Sequence, residues 1–452
     1  MSRETETRAC PALLIGAAAS GQGKTTVTAA LARAARRRGR RVAVFKAGPD
    51  YLDPQILAAA AGSAVEPLDL WMAGADYCGQ RLFEAAGEVD LILVEGTMGL
   101  HDGQPSSADF AAEFGLPVAL VLDCRGMAQT AAAVAAGLQH AREELSVAGL
   151  VANGVGSARH ADLIAEALPT DLPLLACLAR DEAVALPHRH LGLVQAQEQG
   201  ASLEAALDAA AERIERTSLP DAPLPVVFTR KPAAVPGPWL AGHRIGVARD
   251  AAFSFAYAAN ERLLESMGAE LRYFSPLDDT ALPDVDALWL PGGYPELHAA
   301  DLAANTAMHA ALQAFHRSGR PMLAECGGML YLQDSLTELD GPTHRMVGLI
   351  PGAGRMRAKG GCQGMQTAPL PEGEIRGHAH HRSVTDDGAV PIAHGRRPRH
   401  PAPGEAIVRD RGLTATYLHL FFASNPAATA ALLGAAARSS TAGAQTATTA
   451  VS

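Results

Sequence analysis

A glycine-rich segment near the amino terminus carries the residue types that hold phosphate. Ser20-Gly-Gln-Gly-Lys-Thr-Thr26 follows the apolar run 11–16 and leads into an Ala-rich stretch with helical character. In such a loop the backbone N–H groups bind phosphate oxygens, the lysine reaches the terminal phosphates and the adjacent hydroxyl ligates Mg²⁺. Ala18 replaces the first glycine of the full consensus, so the loop is a variant. The predicted nucleotide site consists of Gly21, Gly23, Lys24, Thr25 and Thr26.

Carboxylates follow two other apolar runs. The run 42–45 leads to Asp50, and the run 91–94 leads directly to Glu95. Ligands of open parallel sheets bind beyond the carboxyl ends of the strands, which is where these acids would lie. We therefore predict that Thr25, Asp50 and Glu95 hold a magnesium ion.

A cysteine bracketed by glycines lies in the second half of the chain. Cys326 follows the apolar run 321–324 and precedes two glycines, so a tight strand-to-helix turn is expected there. At a helix amino terminus the dipole lowers the pKa of a thiol and favours the nucleophilic thiolate. His419, at the end of a short β-like run, is the predicted base. Backbone N–H groups for an oxyanion are expected at Gly292, Gly293 and Gly327.

Short apolar runs that alternate with helical stretches must position these residues. The pattern is typical of buried parallel strands, and it predicts an α/β fold with a doubly wound parallel sheet. It starts again at the run 244–248. We place domains at 11–216 and 242–434. The segment 217–241 contains six prolines without a helical or strand period and is predicted to be a linker, and 435–452 is predicted to be a disordered tail.

Composition excludes several classes of protein. The 452 residues carry a net charge of −10, which disfavours a nucleic-acid binder. Six cysteines without a CxxC pair argue against a disulfide scaffold or a zinc site. No apolar run is long enough for a membrane span and the polar amino terminus is not a signal peptide. We expect a cytoplasmic protein without nucleic-acid or membrane partners.

The sequence resembles the cobyrinate a,c-diamide synthase family over roughly residues 11–430. The resemblance rests on motifs that include FKAGPDYLDP, VEGTMGLHDG, LPGGYPELHA, LAECGGMLYL and HLFFASNP. It implies a dethiobiotin-synthetase-like phosphate-loop domain joined to a class I glutamine amidotransferase domain. It also implies amidation of the c and then the a carboxylate of cobyrinic or hydrogenobyrinic acid in cobalamin biosynthesis, with ATP, Mg²⁺ and L-glutamine.

The resemblance also suggests roles for individual residues and shows where this chain departs. Phe421 stands where many members have a second histidine, so His419 is the sole base. The same position often holds a glutamate in the wider amidotransferase class, where it completes a catalytic triad with the cysteine and the histidine. The third member of that triad is therefore unassigned in this chain. Gly377–Ser383 differs from the family pattern, which leaves its substrate contacts open. Contacts with the corrin acid are implied for Asp50, Tyr51, Leu52 and Asp102.

Three points stay open at the level of sequence. Two alternative functions are considered. One is a cobyric acid synthase, but that sister family lacks the GPDYLDP segment. The other is a non-enzymatic phosphate-loop ATPase switch, which would not need Cys326 or His419. Cations for the anionic corrin acid could be Lys24, Lys46 or arginines near the cleft. The metal content of the corrin acid and the oligomeric state, including a homodimer, are not determined.

Overall fold

A computed structural model describes residues 6–51, 53–179, 200–231 and 236–434. Leu52, one of the predicted substrate contacts, and the predicted tail 435–452 lie outside the described residues. No helix in the described ranges combines the length and the apolar composition that a membrane span requires.

The first half of the chain forms an 8-stranded sheet. Its strands are β1 (Thr7–Ala17), β2 (Val42–Ala47), β3 (Glu66–Pro67), β4 (Leu91–Gly96), β5 (Val118–Asp123), β6 (Val147–Val155), β7 (Leu174–Ala179) and β8 (Leu224–Thr229). The order β3-β2-β4-β1-β5-β6-β7 is parallel throughout, and β8 pairs antiparallel with β1. The predicted doubly wound parallel sheet is confirmed.

Helices cover both faces of this sheet. They are α1 (Lys24–Arg37), α2 (Asp53–Ala61), α3 (Ala75–Glu88), α4 (Ser107–Phe114), α5 (Thr130–His140), α6 (Ala158–Ala167) and α7 (Gly200–Ile214). One apolar core packs α1, α2 and α7 against the sheet, and a second packs α3, α4, α5 and α6 against the other face. Strands buried on both faces have continuous apolar sequences, which is why the sequence pattern located them.

The predicted linker 217–241 is wrong over Leu224–Thr229, which is strand β8. Val226 and Phe228 point into the core while the intervening Val227 is 64% exposed, so the strand has the expected period of two. Pro225 is tolerated because β8 lies at an edge, where one row of N–H groups needs no partner. The prolines on either side obscured this short alternation in the sequence.

The second half contains another α/β unit. Its strands are β9 (Arg244–Ala248), β10 (Glu270–Phe274), β11 (Ala287–Leu290), β12 (Met322–Glu325), β13 (Ser335–Thr337), β14 (Thr343–Arg345), β15 (Ala353–Met356), β16 (Cys362–Leu370), β17 (Gly373–His381), β18 (Ser383–Asp386), β19 (Ala393–His394), β20 (Ala406–Asp410), β21 (Leu413–Thr416) and β22 (Leu418–Leu420). The main sheet has the order β10-β9-β11-β12-β21-β20-β19. Two small sheets, β14-β13-β15-β18 and β16-β17-β22, lie beside it.

Five helices of this half are α8 (Ala258–Ser266), α9 (Ala299–Ala304), α10 (Thr306–Arg317), α11 (Gly327–Leu332) and α12 (Pro426–Leu432). Strand β12 leads directly through Cys326 into α11, and β21 pairs parallel with β12. Since β22 follows β21 after one residue, the carboxyl end of this sheet brings Cys326 and His419 to the same region.

An aromatic cluster joins the two halves. It consists of buried side chains from both, namely Tyr51, Met72, Phe255, Tyr257, Ala259 and Phe421. Around it, Arg262 forms an ion pair with Glu66, and Arg376 donates a hydrogen bond to the carbonyl of Trp71 at 2.5 Å. The carboxyl ends of β2 and β22 therefore face each other across this cluster.

Candidate active sites

The predicted phosphate loop connects β1 to α1. Gly23 has φ 101°, and a Cβ there would lie 2.4 Å from Nδ2 of Asn153, so the position requires glycine. Lys24 Nζ donates to the carbonyl oxygens of Ala19 at 3.2 Å and Met98 at 2.5 Å, which holds the lysine over the loop. The loop thus lies at the amino terminus of α1, where backbone N–H groups are available to bind phosphate.

Glu95 and Thr25 are brought together at the end of the sheet. The Thr25 hydroxyl donates to Oε1 of Glu95 at 2.8 Å. Glu95 is 1% exposed, and its Oε2 has no hydrogen-bond partner among the described residues. A buried carboxylate oxygen without a partner is costly. Its position beside the loop therefore suits a divalent cation, for which carboxylate and hydroxyl oxygens are appropriate ligands.

A buried lysine lies among the predicted metal ligands. Lys46 Nζ is 2.7 Å from Asp53 Oδ2, 2.8 Å from Glu95 Oε1 and 3.5 Å from Asp50 Oδ2. Burial lowers the pKa of Lys46, but the charges of Glu95, Asp50 and Asp53 outweigh it and hold the pKa above its usual value. Lys46 is 2% exposed and fully engaged. Because Lys46 faces these three acids, the other candidate cations are better placed for the corrin acid.

Sequence reasoning did not assign a role to Asp53. This residue starts α2, and its carboxylate is the nearest of the three to Lys46 Nζ. The spacing of Asp50 and Asp53 around a single loop was visible in the sequence. Their convergence on Lys46 was not, because it depends on the pairing of β2 with β4, which sets Lys46 opposite Glu95.

Cys326 occupies a strained turn. Its φ of 46° and ψ of −105° are unusual for a residue other than glycine, as expected for a nucleophile placed between a strand and a helix. The expected low thiol pKa is wrong. Burial, reinforced by the charge of Glu296, raises the pKa of Cys326 above its usual value. The side chain is 6% exposed, and α11 is only six residues long, so desolvation dominates over the dipole.

The three predicted oxyanion glycines surround the same point. A Cβ on Gly327 would lie 2.9 Å from the backbone N of Gly293, and a Cβ on Gly292 would lie 2.2 Å from Cε1 of His419. A side chain at Gly327 would thus collide with the backbone of Gly293, and a side chain at Gly292 would collide with the imidazole of His419. The absence of side chains lets the amide groups approach the Cys326 turn closely.

His419 is buried in β22, and neither ring nitrogen has a hydrogen-bond partner among the described residues. Burial lowers the pKa of His419 well below its usual value, and the nearby histidines lower it further. The imidazole is therefore neutral. In the described ranges no carboxylate bonds to it, so the third triad member stays unassigned.

Glu325 fixes the strand that carries His419, although the sequence analysis gave it no role. Its Oε1 accepts the N–H of Leu420 at 2.8 Å, and its Oε2 accepts Nε1 of Trp289 at 2.9 Å. Burial raises the pKa of Glu325 to about 8. It acts on β22 and not on the imidazole, so it is a positioning residue.

Tyr51 links the two centres. Its neighbour Asp50 approaches Lys46, while the Tyr51 ring lies 4.5 Å from the imidazole of His419 between ring centroids. The Tyr51 hydroxyl bonds to the hydroxyl of Tyr257. Phe421 packs edge-on against Tyr257 at 5.9 Å, so an apolar side chain suits the position where the wider class often has glutamate.

Asp102 lies in a different environment. Its Oδ2 accepts the N–H of Gly99 at 3.1 Å, and the residue is exposed at the wall of a cleft between the two halves. The departing segment Gly377–Ser383 belongs largely to β17, where His378 is the register partner of His419. That segment therefore supports β22.

Comparisons with known proteins agree with this division. Residues 13–194 match the CobQ/CobB/MinD/ParA nucleotide binding domain, which supports ATP binding, and residues 244–427 match the CobB/CobQ-like glutamine amidotransferase domain. The chain is 52% identical over 94% of its length to the hydrogenobyrinate a,c-diamide synthase of Stutzerimonas stutzeri, covering 99% of that protein. It is 48% identical over 95% of its length to the cobyrinate a,c-diamide synthase of Herminiimonas arsenicoxydans, covering 98% of it. The chain belongs to the a,c-diamide synthase family of glutamine-hydrolysing ligases.

Proposed function

We propose that this enzyme amidates the a and c carboxylates of cobyrinic or hydrogenobyrinic acid, using ATP and glutamine, in the cytoplasm. The observation that carries the proposal is the approach of a phosphate loop with its carboxylates to a buried Cys326–His419 site across Tyr51. A phosphate-loop switch would not need the second site. The comparisons name relatives that act on both forms of the corrin acid.

In the first half, Lys24 and the loop amides hold the ATP phosphates. A carboxylate oxygen of the corrin acid attacks the γ-phosphorus, ADP leaves, and an acyl phosphate forms. Thr25, Glu95 and Asp50 would hold Mg²⁺, which supplies neutralisation of the charge that develops on the phosphates. Lys46 contributes a fixed positive charge that keeps the three acids together, since without it their mutual repulsion would be large.

In the second half, Cys326 Sγ attacks the carboxamide carbon of glutamine while His419 takes the thiol proton. His419 returns that proton to the leaving nitrogen, so ammonia departs and a thioester remains, which water hydrolyses to glutamate. Amides of Gly293 and Gly327 would donate to the oxyanion. Ammonia then attacks the acyl phosphate, and phosphate leaves.

Turnover of the purified enzyme with cobyrinic acid, hydrogenobyrinic acid and nickel-sirohydrochlorin, the substrate type of a variant in this superfamily, tests the proposal. We expect two amides to be added to one or both corrin acids, with ATP and glutamine consumed. Addition of four amides, or ATP hydrolysis without amide formation in every case, would contradict it in favour of the sister family or a switch. Size-exclusion chromatography in the same buffer tests for a homodimer.

A further inference from the structure

A cleft of about 590 Å³ opens between the two halves of the molecule. One wall is the loop 101–104 of the first half. The facing wall consists of residues 363–366 of β16 and the segment 397–399 of the second half. Neither half contains this cleft alone, so a ligand in it contacts both.

The cleft adjoins both reaction centres. The loop that carries Asp102 begins beside the phosphate loop, since Lys24 Nζ lies 2.5 Å from the carbonyl of Met98 and a Cβ on Gly99 would lie 2.6 Å from that of Ala18. On the opposite wall, Met365 packs against the aromatic cluster that covers His419. One wall of the cleft therefore continues towards the phosphate loop, and the other continues towards the cluster that covers His419.

Two arginines, Arg397 and Arg399, line the cleft. Elsewhere in the described structure, arginines form salt bridges with carboxylates, as Arg33 does with Asp208 and Arg409 with Glu372. Within the described ranges, neither Arg397 nor Arg399 forms a direct salt bridge, although the Glu405 carboxylate is close enough to interact with the charge of Arg397. The buried Nε of Arg397 has no acceptor, and its Nη2 contacts only the thiol sulfur of Cys362 at 3.7 Å.

Arginines without a direct salt bridge at the wall of a cleft are suited to an anionic ligand. A guanidinium binds a carboxylate through two parallel hydrogen bonds, which fixes orientation as well as charge. A guanidinium carries five N–H donors, so an arginine at the wall of the cleft can offer those that are still accessible to a ligand carboxylate. Asp102, on the opposite wall, has the same charge as such a ligand, so anchoring falls to the arginine side.

We propose that this cleft binds the macrocyclic polycarboxylate and that Arg397 and Arg399 hold carboxylates that are not reacting. Held there, the macrocycle presents another carboxylate to the phosphate loop. This inference rests on the proposed function, because the polycarboxylate is the substrate of that reaction. It assigns the anchoring cations to the amidotransferase half, although the phosphoryl donor is bound by the other half.

The test compares Arg397→Ala, Arg399→Ala and the double variant with Arg411→Ala. Arg411 is an exposed arginine before β21, at the edge of the sheet opposite Cys326, and is a matched control for the loss of one charge. We expect the KM and the Kd for the corrin acid to rise about tenfold for each cleft arginine, as for the loss of one charge-assisted contact. The KM for ATP and the glutaminase rate without corrin acid should not change. Arg397→Lys should recover part of the affinity.

Wild-type turnover and the effect of the variants answer different questions. If wild-type enzyme amidates a corrin acid but the double variant keeps its KM and Kd, the cleft assignment is overturned and the proposed function survives. If wild-type enzyme amidates no corrin acid, the proposed function fails first. A variant that has lost glutaminase activity, or that has a lower unfolding midpoint, is replaced by the lysine variant at the same position. The assignment would also be overturned if the lysine variants at both positions and Arg399→Ala all had the KM and Kd of the wild type.

Discussion

Burial keeps Cys326 and His419 as a neutral thiol and a neutral imidazole. It raises the pKa of Cys326 and lowers that of His419, so an ion pair is not the resting state. Proton transfer must then accompany attack on bound glutamine. In the absence of ATP and corrin acid, the enzyme is therefore expected to hydrolyse glutamine slowly.

The reactivity of Cys326 towards iodoacetamide should follow this raised pKa. Below the pKa the thiolate fraction rises tenfold per pH unit, so we expect the alkylation rate to keep rising between pH 7 and 9. Mass spectrometry of the Cys326 peptide measures the rate, and the half-buried Cys177 serves as an internal reference. A plateau near neutral pH would mean that the thiolate is already formed.

Cys326→Ser should abolish glutamine-dependent amidation and leave ammonia-dependent amidation largely intact. The sulfur acts only in the release of ammonia, while the phosphate loop lies in the other half. Product formation with glutamine and with ammonium chloride, measured in parallel, gives the comparison. Loss of both activities in a folded variant would contradict the two-site mechanism.

Glu95→Gln should reduce amidation with either nitrogen source by about 100-fold, with a smaller loss of nucleotide affinity. It keeps the shape of the side chain but removes the charge beside Thr25 and Lys46. The concentration of Mg²⁺ required for half-maximal activity should rise. Glu66→Gln changes a buried glutamate in β3, two strands away from β4, and is the control. An equal shift there would argue against a metal role for Glu95.

At the scale of elements, the sequence located the buried strands well. The apolar runs before Asp50 and Glu95 are β2 and β4, because strands covered on both faces admit few polar residues. It missed β8, whose alternation spans only a few residues between prolines. It also missed β13 to β19, which are mostly short antiparallel strands with one polar face.

Contacts that depend on register were beyond sequence reasoning. The sequence suggested Lys46 as one candidate cation for the substrate. The pairing of β2 with β4 places it opposite Glu95 instead. Likewise, the pKa of Cys326 depends on how deeply α11 is buried, and the local motif predicted the opposite direction. Motifs predicted which residues take part, whereas the charge states of these residues depend on packing.

The packing of β8 can be measured directly. Phe228→Ala removes a side chain that is 3% exposed and should lower the free energy of unfolding by about 3–4 kcal/mol. Val227→Ala, at the next position but 64% exposed, should change it by less than about 0.5 kcal/mol. Urea unfolding of both variants is the measurement. Equal effects would restore the interpretation of this segment as a linker.

At the scale of the whole molecule, adjacent residues face the two predicted sites. Asp50 belongs to the carboxylate cluster around Lys46, and Tyr51 covers His419. The partner of the Tyr51 hydroxyl, Tyr257, is 206 residues away in sequence, so no local pattern could indicate the contact. This dipeptide therefore contacts both predicted sites.

Tyr51→Ala should uncouple the two reactions. Removal of the ring opens space beside His419, so water enters the glutaminase site and ammonia escapes before it meets the acyl phosphate. We expect more than one glutamine to be hydrolysed per amide formed, and faster glutamine hydrolysis in the absence of corrin acid. Tyr51→Phe keeps the ring against the imidazole and removes only the hydroxyl contact, so it should stay near one glutamine per amide, as should Tyr257→Phe. Measurement of glutamate and amide in the same reaction gives the ratio. A ratio of one in Tyr51→Ala, with corrin affinity reduced instead, would assign Tyr51 to substrate binding and not to the barrier between the sites.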